Sequence, residues 1–439
     1  MDDQPSAPAQ RGQTSVRSIW TLIGVETGCL LGSEVSRFGI SVWIYQTTHS
    51  VSSFSTLLLA NTVPGMIASP LAGSIVDRSS RKRVMIAAAT VSLIGTLIVL
   101  AGATLGELSM PLVVAGAVLA SIGDSFQWPA LSATIPLMAT DEDLPRYNGF
   151  LESGRAISML AGPPIGGLLI AFIHLPGLIA CELVTFVAAT FVVASMVIPH
   201  PEPAAPDEIS PEESQASLSL LSDSLYGLRW IYKHKPLFKF LLVATFANFF
   251  ISIGMVLMAP YALSFLSERA FGITNGLFGA GMILGGIVYG VLSKRFSNIQ
   301  QFLWTGIILG VIYIAYGFSR DPFTLGGLNI LIAVMMTIGN ASIMTIWQLK
   351  VPERLQGRVL STMRMVADIT IPVSFLLAGP LTDRLVPAVF ERADASAIWG
   401  SSVTSMMGAL FSVMGVVLFG GFVLSTAIRD VRKVEDIPA

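Results

Sequence analysis

Again and again along this chain the sequence stays apolar for about 20 residues, the length at which a helix crosses the hydrocarbon core of a bilayer. Such runs lie at Ile19 to Tyr45, Phe54 to Val76, Val84 to Leu105, Met110 to Met138, Phe150 to Ile173 and Gly177 to Ile198. A second set lies at Phe238 to Leu266, Ile273 to Leu292, Phe302 to Phe318, Leu325 to Leu349, Val359 to Leu385 and Trp399 to Ile428. Only 12% of the 439 residues are charged and 53% are hydrophobic, with a mean hydropathy of +0.71. A soluble domain carries roughly 25% charged residues. Lipid is therefore the expected solvent, and the expected fold is an all-α integral membrane protein of twelve transmembrane helices.

The runs fall into two groups of six. Residues 1–18 read as a tail rich in Pro, Ser and Gln, 19–198 as an N-terminal six-helix bundle and 237–428 as a C-terminal one, with a short tail at 429–439. The linker, 199–236, begins acidic and Pro-rich and then turns amphipathic. Leu218, Leu221, Leu225, Leu228 and Ile231 recur at helical spacing beside Trp230, Lys233 and Lys235, the pattern of a helix lying on a membrane surface. Most of the 26 Lys and Arg fall on one set of alternate loops, which places that side, and both termini, in the cytoplasm. A weak internal repeat sets Gly286, Gly290, Lys294 and Arg295 after the eighth span where Gly73, Asp77, Arg78, Arg81, Lys82 and Arg83 follow the second. Paired halves of this kind are a transporter architecture, with the substrate held near midplane.

The loop after the second span carries the most specific local pattern. Gly73 is followed four residues later by Asp77 and Arg78, and then by Arg81, Lys82 and Arg83. A plain positive-inside loop accounts for the cations but not for the glycine and the acid at that spacing. The segment resembles the signature loop of the major facilitator superfamily. That resemblance implies the major facilitator fold and a conformational gate formed by Gly73, Asp77, Arg78, Arg81 and Lys82, with Asp77 engaging the start of the eleventh span near Arg364.

In the fifth span Gly149, Ser158, Gly162, Pro163, Gly166 and Gly167 match the spacing of the antiporter motif of drug exporters in that superfamily, with Ser158 standing where the motif has a glycine. Independently of any family, Gly154, Ser158, Gly162 and Gly166 recur every four residues, a stripe that lets two membrane helices approach closely. Pro163 and Pro164 remove two backbone donors from the same span. Further stretches, from Ser33 to Ser50, from Trp128 through Pro136 to Arg146, at Asn248 and around Gln356 to Val359, make nearly the whole chain resemble the macrolide-efflux and enterobactin-exporter-like branch. That branch also holds lysophospholipid transporters, so the substrate stays open. The fourth span departs from many proton antiporters, offering Asp124 and Gln127 in place of a mid-helix arginine motif.

Ionisable groups inside spans are expensive and are candidates for function. They are Glu26, Glu34 and Arg37 in the first span, Asp124 in the fourth, Glu152 and Arg155 in the fifth, Glu182 in the sixth and Asp368 in the eleventh. Glu34 with Arg37, and Glu152 with Arg155, are three apart and are expected to form intramembrane ion pairs. A carboxylate tied to a cation is a poor proton carrier, and Asp124, Glu26 and Asp368 have no such partner nearby in sequence; the proton-coupling candidates are Asp124 first, as the one nearest midplane, then Glu34, Glu26 and Asp368. For each, a structural polar contact between helices is the competing account.

Other chemistries find no footing. The four histidines fall at helix ends or loops without metal spacing, and no P-loop for nucleotide is present. Cys29 and Cys181 sit in apolar runs as small buried hydrophobes. The 24 Phe and 18 Met fit a pliable apolar cavity as well as ordinary packing. No cluster of nucleophile and base emerges, so neither an enzyme nor a cofactor is expected. A net charge of -2 gives no reason to expect nucleic acid.

These features and resemblances together imply a monomeric multi-pass transporter of the plasma (inner) membrane. Its expected partners are protons, the lipid bilayer and a small-molecule substrate, a drug, macrolide or siderophore-like amphiphile exported by proton antiport with alternating access. The alternatives are a flippase-like carrier of lysolipids without obligatory proton coupling, uptake by symport, and a membrane sensor or assembly partner without turnover.

Overall fold

A computed structural model of the chain describes residues 16–140, 143–198, 220–352, 355–388 and 402–436. The linker residues 199–219 and the side chains of Gly73, Asp77 and Arg78 lie outside that description, and so does any contact made by them. Contacts divide the chain into two units, residues 1–43 with 57–203, and 44–56 with 204–439.

The first unit is built from α1 (Val16–Thr48) and α2 (Val51–Arg78), whose residues 44–56 fall in the second unit, together with α3 (Arg81–Leu105), α4 (Met110–Met138) and α5 (Leu144–Ser195). Alpha-helix α5 is two crossings in one: its backbone reverses at His174, where φ is 54° and ψ is -177°. A positive φ is uncommon for a residue with a Cβ. Pro176, two residues on, cannot donate a helical hydrogen bond, which favours a break here. Among the described residues, the other non-glycine residue with positive φ is His49, at the turn from α1 into α2.

The second unit holds α6 (Leu220–Lys233), α7 (Lys235–Leu263), α8 (Glu268–Leu292), α9 (Asn298–Phe318), α10 (Pro322–Lys350), α11 (Gln356–Asp368), α12 (Thr370–Pro380), α13 (Val403–Ala427) and α14 (Arg429–Arg432). Alpha-helices α11 and α12 form one crossing interrupted at Ile369, and a π-turn, Leu381–Leu385, extends it. Among the described residues, ten helical stretches are long and apolar enough to span a membrane. Counting Gly149–Ser195 twice for its reversal, and adding the 33-residue α1 with its charged residues, gives twelve crossings.

Helices apolar on every side need lipid around them. Accordingly Phe172, Phe191 and Val197 of the first unit, and Phe323 and Leu424 of the second, are each at least 70% exposed. Cys181 is also exposed on an outer helix face, which corrects the expectation that both cysteines are buried; Cys29 is. Inside each unit, close approach rests on small residues rather than on a water-driven core. A Cβ on Gly95 would meet the Gly116 carbonyl between α3 and α4, and one on Gly310 would meet the backbone of Phe419 between α9 and α13.

Helix ends are satisfied locally. Ser297 and Gln300 form a capping box on α9, and Asp321 accepts from Phe323 N at 3.0 Å and Thr324 N at 2.9 Å at the start of α10. Lys82 Nζ donates to the carbonyls of Ala194 at 2.6 Å and Met196 at 2.7 Å, so a cation closes the negative end of α5. In the second unit, the Asp383 carboxylate accepts from Ser50 Oγ at 2.8 Å, Val51 N at 3.2 Å and Ser52 N at 2.9 Å, which caps the start of α2. Beside it, Gln46 Nε2 donates to Glu268 at 2.5 Å.

Candidate functional site

Glu26, Glu34 and Arg37 stand on α1 at offsets of eight and three, which brings all three to one broad face of a 3.6-residue helix. The neighbouring face is smooth because of glycine. On the first arm of α5, the positions where Gly154 and Gly162 would carry a Cβ are occupied by Thr27 and by the Cβ of Glu34, and Gly166 meets Phe38. Ser158, inside this stripe, donates to Thr27 O at 3.2 Å and to Gly154 O at 2.9 Å. The stripe thus lies directly along α1 and fixes the height of Glu34. Gly149 faces open space and takes no part in the contact.

Arg37 is the centre of the site. Its Nη1 donates to Glu34 Oε1 at 3.2 Å and its Nη2 to Asp124 Oδ2 of α4 at 3.0 Å. Asp124, which has no cation near it in sequence, therefore finds one on another helix. One turn along α4, Gln127 Nε2 donates to Glu26 Oε2 at 3.4 Å, and Glu26 is only 7% exposed. Arg155 approaches Glu152 at 3.9 Å and lays its guanidinium 4.3 Å from the Trp128 ring centre, a cation–π contact.

Two cavities meet at the central pair. One, of about 270 Å³, is lined by Glu26, Glu34, Gln127, Trp128 and Arg155; the other, of about 110 Å³, by Ser36, Ser41, Asn61 and Glu182. Ser33, Arg37, Asp124 and Phe186 line both. Glu182, named among the ionisable residues in the sequence but not ranked as a candidate, thus shares a cavity with Arg37 and Asp124. Its position on the second arm of α5 follows from the reversal at His174, which sequence spacing does not reveal.

The arrangement has a definite electrostatic content. A guanidinium keeps its proton at any working pH, so Arg37 supplies one fixed positive charge. Glu34 and Asp124 share it, while Glu26 and Glu182 stand on the cavity walls with no cation within 4.0 Å among the described residues. Four carboxylates line the two cavities with two guanidiniums, Arg37 and Arg155, and the excess negative charge is one that a low-dielectric site does not tolerate without protons or cations.

The second unit places Asp368 elsewhere, at the end of α11 on a cavity of about 740 Å³ that Arg364 and Asn248 also line. No residue among those described approaches Asp368 as an ion-pair partner within 4.0 Å. The described cysteines, histidines and acids form no group suited to a metal ion.

Twelve apolar crossings, two compact units and charges gathered on intramembrane cavities define a polytopic membrane protein of the transporter class. The sequence profile of the Major Facilitator Superfamily matches residues 28–375, and the chain belongs to that family. It is 23% identical to macrolide efflux protein A of Streptococcus pyogenes, over 83% of this chain and 89% of that one. It is 26% identical to the multidrug efflux pump Tap of Mycolicibacterium fortuitum, over 80% of this chain and 86% of that one. Among solved structures, the fold is similar to a bacterial homologue of the iron transporter ferroportin in an inward-facing state, with a TM-score of 0.68, 16% identity and coverage of 93% and 100%. It is also similar to the nucleoside transporter NupG, with a TM-score of 0.69, 13% identity and coverage of 94% and 100%.

Proposed function

We propose that this chain exports an amphipathic or hydrophobic small molecule, of the kind its efflux relatives are named for, in exchange for protons. One observation carries the coupling: a single guanidinium, Arg37, is shared by Glu34 and Asp124 at 3.2 and 3.0 Å while Glu26 and Glu182 line the adjoining cavities. A proton arriving on Asp124 or Glu34 frees Arg37 to hold the other carboxylate alone, so protonation selects between two pairings. Such a bistable charge pair is what a coupled carrier needs to answer to pH. On this reading the two units alternate access to a central route, the loop of Gly73, Asp77, Arg78, Arg81 and Lys82 serves as the gate, and the protein works in the plasma membrane.

The test is reconstitution in liposomes with a pH dye inside, an imposed proton gradient and a panel of lipophilic cations, macrolides, siderophores and lysolipids. The expected result is substrate-dependent proton movement that Asp124→Asn abolishes. Substrate movement with no proton movement would overturn antiport and favour a flippase-like carrier.

A further inference from the structure

A single residue joins α6 to the first membrane crossing of the second unit. Alpha-helix α6 ends at Lys233 and α7 begins at Lys235, while His234 between them has φ -91° and ψ 76°, outside the helical region, so the chain changes direction there. The corner is held by its own rings. His234 stacks on Trp230 with ring centroids 3.9 Å apart, and its Nδ1 donates to the Trp230 carbonyl at 2.8 Å. Tyr232 reaches across to Phe238 of α7, edge to face at 5.3 Å. Alpha-helix α6 also packs along α11, and both α7 and α11 belong to apolar stretches long enough to cross a membrane. The helix thus lies at the level where two crossings enter the bilayer.

Around α6, at 3.6 residues per turn, three stripes follow one another. Gly227 and Ile231 share one side and are buried, Ile231 completely. Next come Leu228 and Tyr232, which are 42% and 67% exposed although both are large and apolar. Beside those stand Arg229 and Lys233, exposed and in no ion pair within 4.0 Å among the described residues. Lys235 adds a third exposed cation just past the corner. The first stripe is taken up by the protein. The other two set an apolar edge next to a cationic one, the order in which acyl chains and phosphates are met at the face of a bilayer. A water-soluble acidic partner would satisfy the cations and leave Leu228 and Tyr232 without cover.

We propose that this corner binds an acidic phospholipid, with its phosphate held by Arg229, Lys233 and Lys235 and its acyl chains running along Leu228, Tyr232 and Phe238. The inference concerns the surrounding lipid, not the cargo or the protons, and stands apart from the transport reading. On the orientation expected from the Lys and Arg bias of the loops, the leaflet is the cytoplasmic one. Alpha-helix α11, against which α6 packs, contributes Met363, Arg364 and Asp368 to the cavity of about 740 Å³, so a lipid held here braces one wall of that cavity.

The experiment places the purified full chain in nanodiscs of phosphatidylcholine that carry a small fraction of a diazirine-bearing phosphatidylglycerol or, separately, of a diazirine-bearing phosphatidylcholine with the same acyl chains. After illumination, mass spectrometry reads the lipid attached to residues 220–240. One cation at an acidic membrane surface is worth roughly fivefold in association. The acidic probe is therefore expected to label this segment at least about fivefold more than the neutral one. Arg229→Gln combined with Lys233→Gln should bring the two probes within about twofold of each other, whereas the exchange Arg229→Lys with Lys233→Arg should keep the preference. Lys294→Gln with Arg295→Gln, which removes two exposed cations just after α8, should leave it unchanged. Equal labelling by both probes in the parent, or an equal loss in the Lys294 and Arg295 variant, would overturn the proposal. A preference that emerges only when Asp207, Glu208, Glu212 and Glu213 are neutralised would assign the cationic stripe to the chain's own acidic linker and overturn it. Displacement by glycerophosphoglycerol, the headgroup without its acyl chains, would also overturn it, in favour of a soluble phosphodiester.

Discussion

Two glycines of the same fifth-span motif should respond to alanine in opposite directions. A methyl group on Gly162 would stand 2.4 Å from the Cβ of Glu34 and 3.4 Å from both the Cα and the carbonyl carbon of that residue. None of these atoms can swing aside, because they belong to the backbone and stem of α1. The helices must part, and overpacking of this kind costs about 1–3 kcal/mol. Parting them also shifts α1, with Glu34 and Arg37, relative to α4, whose Asp124 now lies 3.0 Å from Arg37. At Gly149 a methyl group meets nothing within 4 Å, and alanine in a helix is favoured over glycine by about 1 kcal/mol. The chain's two cysteines supply the assay: Cys29, buried on α1 with its thiol on Thr185 O at 3.4 Å, reports opening of this unit once exposed Cys181 is replaced by serine. Heating with a thiol-reactive dye should label Gly162→Ala at lower temperature than the parent, and Gly149→Ala at the same or higher temperature. Gly162→Ala should also transport less. Equal melting and transport in Gly162→Ala and the parent would refute the claim that this stripe sets the position of Glu34.

Asp383→Ala should lower thermal stability by about 0.5–2 kcal/mol, the worth of a charged helix cap, with faster proteolysis at residues 44–56 as the local readout. An unchanged cleavage rate would show that the cap does not hold the hairpin. At Asp321, hydrogen bonds from the Thr324 side chain and backbone, and from the Phe323 backbone, pull the carboxyl below its ordinary range. A depressed folded pKa means stabilisation that is present above the unfolded value and lost as pH falls through the folded one. Acidification should therefore lower the melting temperature of the parent more than that of Asp321→Asn; parallel pH curves would contradict this.

The fold was legible because its cause is local. A run of 20 apolar residues needs no partner to declare itself, so Val84 to Leu105 or Phe302 to Phe318 can be read one at a time. The charged residues within spans are equally visible, since each stands out against its apolar neighbours. What they touch is another matter. Glu34 and Arg37 are linked by helical spacing, whereas the Arg37 contact to Asp124 spans 87 residues and depends on how α1 and α4 are rotated. Glu182 reaches the same cavity only because the chain reverses at His174. Gly149 and Gly162 look alike as motif positions and differ entirely in what faces them. Asp383, which organises the start of α2, carried no sequence signal beyond being an acid near the end of a span.

Arg37 has one more consequence. Two cavities that meet inside a single helical unit invite a leak, because water filling both could pass protons freely and collapse the gradient on which export would depend. The residue at their junction is a guanidinium that never loses its charge, and a fixed arginine in a narrow polar passage is an electrostatic barrier to hydronium. If the chain exchanges protons as proposed, the side chain that gathers the carboxylates would also be the insulation between the two spaces: a proton would cross it by riding on a carboxylate, and not by drifting through water.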